Sequence, residues 1–112
     1  MTPAESDVSV VITMHDEDPR FLHDALESVF AQTAPAREII VVDDGSRIDN
    51  AEVLRAFPTV RVIRQANQGL AAARNTGWRA ATSRYVVFLD SDDRLAPHAL
   101  ACNLRRFSAH AD

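Results

Sequence analysis

Three carboxylates, Asp90, Asp92 and Asp93, stand within four positions of one another, directly after the apolar run Tyr85-Val86-Val87-Phe88-Leu89. Like charges this close repel, and each is driven toward its neutral form unless a cation offsets it. A hard divalent metal holding a phosphate-bearing ligand is the simplest offset, because carboxylate oxygens are its preferred donors. An acidic loop that favours the start of the following helix has the same composition. A second acidic pair, Asp43-Asp44, follows a second apolar run, Ile39-Ile40-Val41-Val42. Apolar runs of this length read as strands buried on both faces of a parallel sheet. Two such strands bring both acidic groups to one edge, where open α/β sheets bind their ligands. The pairing of the two groups favours a site over a solvated loop.

The elements needed to position these residues follow from the patterning. Val8-Ser9-Val10-Val11-Ile12-Thr13 reads as a first strand, after a polar lead-in through residue 7 that is expected to fray. Asp18 before Pro19 marks a helix start, since Asp caps and Pro tolerates the first helical position. Phe21/Leu22, Ala25/Leu26 and Val29/Phe30 recur every four residues and predict one broad apolar stripe, ended near Pro35. Residues 38–42 read as the second strand, with Asp43-Asp44-Gly45-Ser46 as its turn. A short helix over 49–57 turns Val53, Leu54 and Phe57 inward and stops before Pro58. Val60-Arg61-Val62-Ile63 alternates, which puts a third strand near a sheet edge where Arg61 reaches water.

An alanine-rich helix follows over 70–81. Gly77 inside it costs about 1 kcal/mol relative to Ala, so close packing against the sheet is expected there. Trp78 is expected in the core, and His23 and His98 at the surface. After the acidic strand a helix from Pro97 presents Leu100, Leu104 and Phe107 on one face. The alternation predicts an α/β fold: a Rossmann-like, open, mainly parallel sheet with right-handed crossovers and helices on both faces.

With 112 residues the chain is one domain, large enough to bury roughly two-thirds of its unfolded surface. A net charge of −4 argues against a general nucleic-acid surface. A nucleotide remains possible, because a metal and one or two Arg can meet its phosphates. All 12 basic residues are Arg, which removes mechanisms needing an amine, such as a P-loop lysine or a Schiff base. Cys102 is the single cysteine, so the expectation is a small buried side chain rather than a disulfide or metal site. Neither a leader-like segment nor a run near the ~18 apolar residues of a membrane span stands out. The expected location is the reducing cytoplasm, with a peripheral position at the inner membrane face also compatible.

Four stretches, in this order, resemble the nucleotide-binding half of a family-two, inverting glycosyltransferase of the GT-A fold. Val8-Ser9-Val10-Val11-Ile12-Thr13 with Leu26-Glu27-Ser28-Val29-Phe30-Ala31-Gln32-Thr33 is similar to the family's opening strand and helix. Glu38 to Ser46, with its Val-Val-Asp-Asp-Gly-Ser core, resembles the second strand and turn. Asn67-Gln68-Gly69-Leu70-Ala71-Ala72-Ala73-Arg74-Asn75-Thr76-Gly77 resembles the helix after the third strand. Phe88-Leu89-Asp90-Ser91-Asp92-Asp93 resembles the strand that carries the Asp-x-Asp motif.

The resemblance implies a metal-dependent transferase moving a sugar from a nucleotide-diphosphate donor to an acceptor hydroxyl, with inversion. It implies that Thr13 and His15 line the base and ribose pocket and that Asp44 accepts a hydrogen bond from the base. Arg74 would approach the base and diphosphate, Asp90 and Ser91 would lie along the ribose and phosphates, and Asp92 would hold Mn(II) or Mg(II). His15-Asp16 departs from the family's usual aromatic-then-Asn pair, although imidazole can still stack on a base. Asp43 is expected to brace its turn and Asp93 to favour the next helix.

In the family the acceptor half and the general base lie beyond the Asp-x-Asp motif. Residues 1–112 therefore read as the donor-binding part of a longer domain, with no catalytic base of their own and an acceptor left unspecified. A later strand flanks the 85–89 strand in the GT-A arrangement. With the chain ending at Asp112, self-association through that edge is expected. Two other readings share the alternating fold. A phosphoacceptor receiver domain needs a Lys beside its acidic pair, and none is present. A nucleotidyltransferase opens with a Gly-rich basic loop after its first strand, and residues 13–20 contain no Gly.

Overall fold

The computed structural model describes residues 7–101. Along them run β1 (Val8–Met14), α1 (Pro19–Phe30), β2 (Glu38–Asp44), α2 (Ala51–Arg55), β3 (Arg61–Gln65), α3 (Leu70–Ala80) and β4 (Tyr85–Asp90). A further helical turn begins at Ala99. Leu104, Phe107, Cys102 and the lead-in through residue 6 lie outside the described residues.

The four strands form one all-parallel sheet in the order β3-β2-β1-β4. β1 is the strand around which the rest assembles, because it is paired on both sides and covered on both faces. Every one of its seven residues is buried. Successive side chains of a strand alternate between faces, and the core divides accordingly. Val8, Val10, Ile12 and Met14 join Ile39, Val41 and Leu89 beneath Leu22, Ala25, Leu26 and Val29 of α1. Val11 joins Ile40, Val42 and Ala73 on the α3 side. That second layer is thin, and Gly77 explains how α3 comes so near: a Cβ at this position would overlap the Val11 side chain.

Three expectations need correction. Burial on both faces is expected of the 85–89 strand, but the two faces of β4 differ. Leu89 is buried there, whereas Phe88 is 42% exposed. Trp78 is not in the core but 62% exposed. Gly77 takes the sheet-facing position, and the next residue is turned about 100° around the helix. The stripe of α1 is also narrower than predicted, with Phe21 and Phe30 exposed. Phe30 instead stacks on Phe57, with ring centroids 5.3 Å apart.

Local signals behave as their chemistry requires. Asp18 caps α1, its Oδ1 accepting from the Arg20 N–H at 2.9 Å, with Pro19 in the first turn. The edge position expected of the third strand is observed, and Arg61 is exposed on it. Buried Gln32 ties the end of α1 to the segment after β4. Its Nε2 donates to the Ala96 carbonyl at 2.7 Å and its Oε1 accepts from the Leu100 N–H at 3.1 Å.

Candidate functional site at the carboxyl edge of the sheet

The register of the strands decides which side chains meet. Thr13 lies opposite Asp90 across the β1–β4 pair, and Met14 lies opposite Asp43 across β1–β2. Alternation then separates the two acids of the Asp43-Asp44 pair. Ile40 and Val42 face α3, so Asp44 does too, whereas Asp43 follows Ile39 and Val41 to the α1 side. By the same count Asp90 follows Val86 to the α3 side. The chain order reverses at β1, whose neighbours β2 and β4 lie on opposite sides. Open α/β sheets bind ligands at such a switch point. A cleft of about 210 Å³ occupies it, lined by Thr13, His15, Asp44, Asp90, Ser91 and Asp92, with Glu17, Leu70 and Ala73 completing the walls.

Six of the seven site residues named from the sequence are thus brought to one cleft. Arg74, the seventh, is absent from its lining. It stands one turn beyond Leu70 on α3 and reaches the rim, its Nη2 3.5 Å from Asp90 Oδ1.

Asp44 is buried and heavily committed. Its Oδ1 accepts from Gln65 Nε2 and the Gln68 N–H, both at 2.9 Å, and its Oδ2 accepts from the Gly69 N–H at 3.0 Å. Burial alone would raise its pKa. The hydrogen bonds from Gln65, Gln68 and Gly69, with a smaller contribution from His15, outweigh burial and hold it below the ordinary carboxylate value. Asp44 therefore fixes the loop that leads into α3. An ionised carboxylate has about four lone-pair sites, so one remains for a ligand. Asp43 braces its turn as expected, accepting from the Ser46 N–H at 2.9 Å, and it also meets Arg64 at 3.4 Å.

The loop after β1 is clasped to the loop after β2. His15 Nδ1 donates to the Asp44 carbonyl at 2.7 Å, which leaves Nε2 to accept from Asn67 Nδ2 at 3.2 Å in the neutral ring. Asp16 adopts a left-handed backbone with φ +52°, a conformation that Asp and Asn tolerate best among non-glycine residues. From there its Oδ1 accepts from the Arg47 and Ile48 N–H groups, and its own N–H donates to Ser46 Oγ at 2.9 Å. Gly45 completes the arrangement. At φ +72° it leaves room for Asn67, whose backbone N would lie 2.6 Å from any Cβ placed there.

On the other side of the cleft, Asp90, Asp92 and Asp93 each bring a carboxylate oxygen within 4.8 Å of the others. Three carboxylates suit a hard divalent cation, so the donor set fits the metal that the resemblance implies. The turn is stabilised by the Asp93 N–H donating to the Asp90 carbonyl at 2.9 Å and the Ser91 N–H donating to the Thr13 carbonyl at 3.2 Å. Glu17, which no pattern in the sequence singles out, accepts from Ser91 Oγ at 2.6 Å. A second cluster, His23, Asp24 and Glu27 on α1, is accounted for by structural ties. Asp24 pairs with Arg94 at 2.7 Å, and the His23 ring packs on Phe57.

A parallel α/β sheet with an acidic cleft at its switch point and one guanidinium on the rim belongs to the class that can hold a phosphorylated ligand through a cation. Residues 9–112 match the family model described as Glycosyl transferase family 2, and the chain belongs to that family. This removes the receiver and nucleotidyltransferase readings. The chain is 37% identical over 101 residues to the uncharacterized glycosyltransferase YibD of Escherichia coli (strain K12), covering 87% of this chain and 29% of YibD. It is 41% identical over 100 residues to the succinoglycan biosynthesis protein ExoW of Rhizobium meliloti (strain 1021), covering 83% of this chain and 31% of ExoW. Among solved structures, S. aureus TarS in complex with UDP-GlcNAc superposes with a TM-score of 0.83 at 24% identity, over 92% of this chain and 31% of that one. The GT-A fold is thereby established. The chain spans under a third of the length of each of these relatives. No helix among the described residues is long and apolar enough to cross a membrane.

Proposed function

We propose that this chain binds a nucleotide-diphosphate sugar together with Mn(II) or Mg(II), as the donor-binding part of an inverting glycosyltransferase. The observation that carries the reading is the convergence of Thr13, Asp44, Asp90 and Asp92 on one switch-point cleft, with Asp93 beside the last two, in a chain of this family. Thr13 and His15 wall the base and ribose, and the remaining lone pair of Asp44 accepts from a base N–H. Asp90 and Ser91 run along the ribose and phosphates. Arg74 exchanges its partly exposed contact with Asp90 for the diphosphate, which a guanidinium binds well. Asp92 holds the cation, which when bound supplies Lewis-acid stabilisation of the departing diphosphate.

The reaction is displacement of the diphosphate at the anomeric carbon by an acceptor hydroxyl from the opposite face, hence inversion. The general base and the acceptor site are assigned to the remainder of a longer protein. The chain alone is then expected to bind donor without transferring it, since losing general-base help costs ~10²–10⁴-fold in rate. Robust sugar transfer by the 112-residue chain to a panel of acceptors would put the base within it.

TarS has been solved with UDP and with UDP-GlcNAc, so UDP is the first probe. Thermal melts with UDP, GDP and ADP, each with and without Mn(II), test the reading. A nucleotide that raises Tm in the presence of metal is expected, and a melt unmoved by all three overturns it. Partners form part of the same proposal. β4 has one strand neighbour among the described residues, so residues 86–89 offer an edge to a second copy. Light scattering that shows only monomer at high concentration argues against pairing there.

A further inference from the structure

We propose that Glu17 is a positioning residue for the cation-holding turn: it fixes Ser91 and thereby sets where Asp92 presents its carboxylate. The inference rests on the reading of the cleft as a donor and metal site. Ser91 is only 5% exposed and is tied to the β1 side of the cleft twice. Its N–H donates to the Thr13 carbonyl at 3.2 Å, and its Oγ donates to Glu17 Oε2 at 2.6 Å. Glu17 is itself held. Its Oε1 accepts from the Asp18 N–H at 3.1 Å, next to the cap of α1, and its carbonyl accepts from Asn50 Nδ2 at 3.1 Å. A chain of hydrogen bonds thus runs from Asn50 through Glu17 to Ser91, whose next neighbour in sequence is Asp92.

The turn needs such support. Asp92 and Asp93 are exposed, and residues 93–96 have no regular structure. A turn free to move must lose that freedom when it grips a cation, and fixing backbone residues opposes binding. Mutual repulsion among Asp90, Asp92 and Asp93 also favours spreading the turn before a cation arrives. The Glu17–Ser91 bond opposes both. It has a second effect, because a hydroxyl has one proton. With that proton given to Glu17, Ser91 Oγ offers the cleft lone pairs only. It can therefore accept from a ribose hydroxyl or touch a cation, but it cannot donate to a phosphate oxygen.

Calorimetry of UDP or GDP, whichever binds the wild-type chain better, with Mn(II) and with chelator, tests this on wild type, E17A, S91A and the double variant. The gain in affinity that Mn(II) confers should fall about ten- to hundredfold in E17A, the scale of a hydrogen bond to a charged group. S91A should lose a similar amount, and the double variant no more than the worse single one. Binding in chelator should change far less than the metal-conferred gain in E17A. S91A also gives up its own contact with the donor, so for it and the double variant only the metal-conferred gain is compared. A loss equal with and without Mn(II) means that Glu17 merely supports the fold, and overturns the proposal. Fully additive losses mean that Glu17 and Ser91 act separately, and overturn it as well. A metal-conferred gain undiminished in E17A does the same while leaving the donor site standing. A wild-type chain that binds neither nucleotide removes the donor site and this role together. Should E17A fail to fold, S91A breaks the same bond from the other side and must show the same loss of the metal-conferred gain.

Discussion

The two ends of the sheet both carry carboxylates, and they use them in opposite ways. At the amino edge, Glu38 opens β2, and its Oε1 accepts from Ser9 Oγ at 2.6 Å, from Thr82 Oγ1 at 3.1 Å and from the Thr82 N–H. Asp7 beside it accepts from Arg37 Nη1 at 3.2 Å and from the Arg84 N–H at 3.1 Å. These groups join β1, β2 and the entry to β4. At the carboxyl edge, Asp90, Asp92 and Asp93 crowd together, and the ion pair of Asp90 with Arg74 is long and half-exposed. Asp92 and Asp93 form no ion pair among the described residues. A carboxylate surrounded by donors of its own chain stabilises the fold. Carboxylates gathered with few donors hold a repulsion that a ligand's cation relieves. Asp44 stands between the two cases, since like Glu38 it accepts from three donors of its own chain, yet it lines the cleft with one lone-pair site to spare.

Substitutions can break or sharpen that contrast. The largest expected effect is that of Asp92→Ala, which should abolish the metal-dependent part of nucleotide binding while leaving Tm unchanged or slightly higher, because repulsion is relieved. Calorimetry with UDP and Mn(II) checks it, and undiminished affinity would erase the contrast. Asp44→Asn should move both quantities, because an amide cannot accept from Gln65, Gln68 and Gly69 at once. A weakening of binding by about 1–3 kcal/mol and a lower Tm are expected. A change in one without the other would assign Asp44 wholly to one class.

Glu38→Gln should leave nucleotide affinity alone and cost about 1 kcal/mol of stability, a fall in Tm of roughly 4–8 °C for a domain of this size. Its pH dependence follows from the shift. Burial would raise the Glu38 pKa, and the hydrogen bonds of Ser9 and Thr82 overcome it and lower it in the folded chain. The stability it confers is therefore present above the ordinary Glu value of 4.5 and is lost as pH falls through the lower folded value. Acid unfolding followed by circular dichroism should show a loss in wild type over that window that is smaller in Glu38→Gln. Arg74→Ala should cost under about 1 kcal/mol of stability, as for exposed ion pairs. Its effect on UDP affinity should exceed its effect on Tm.

The strands, helices and acidic cleft were legible because each rests on a local pattern. Apolar runs ending in Asp44 and Asp90 announce both the sheet and the edge at which its acids emerge. Gly77 was legible as a close approach because nothing else justifies glycine inside that helix. What escaped depends on partners distant in the chain. Glu17 sits in a loop without periodicity, and its bond to Ser91 spans 74 positions. The commitment of Asp44 to the loop before α3 is invisible until β2 and β3 lie side by side. The exposure of Phe88 and Trp78 likewise follows from which neighbours the strand and helix have, and an apolar residue type does not carry that information.

The strand order also has a consequence in time. β1 pairs with β2 from Ser9 and Glu38 onward, whereas its pairing with β4 must bring Val8 to Tyr85 across nearly the whole described chain. Parallel contacts between such distant segments form slowly, because chain freedom is lost before the contacts repay it. The half of the cleft built on Thr13 and Asp44 can therefore assemble early, while Asp90 and its turn arrive later, with β4. A ligand that touches both halves binds only the molecules in which β4 has docked. By mass action it draws the population toward that state and away from the one in which the apolar face of β4 is open to other chains.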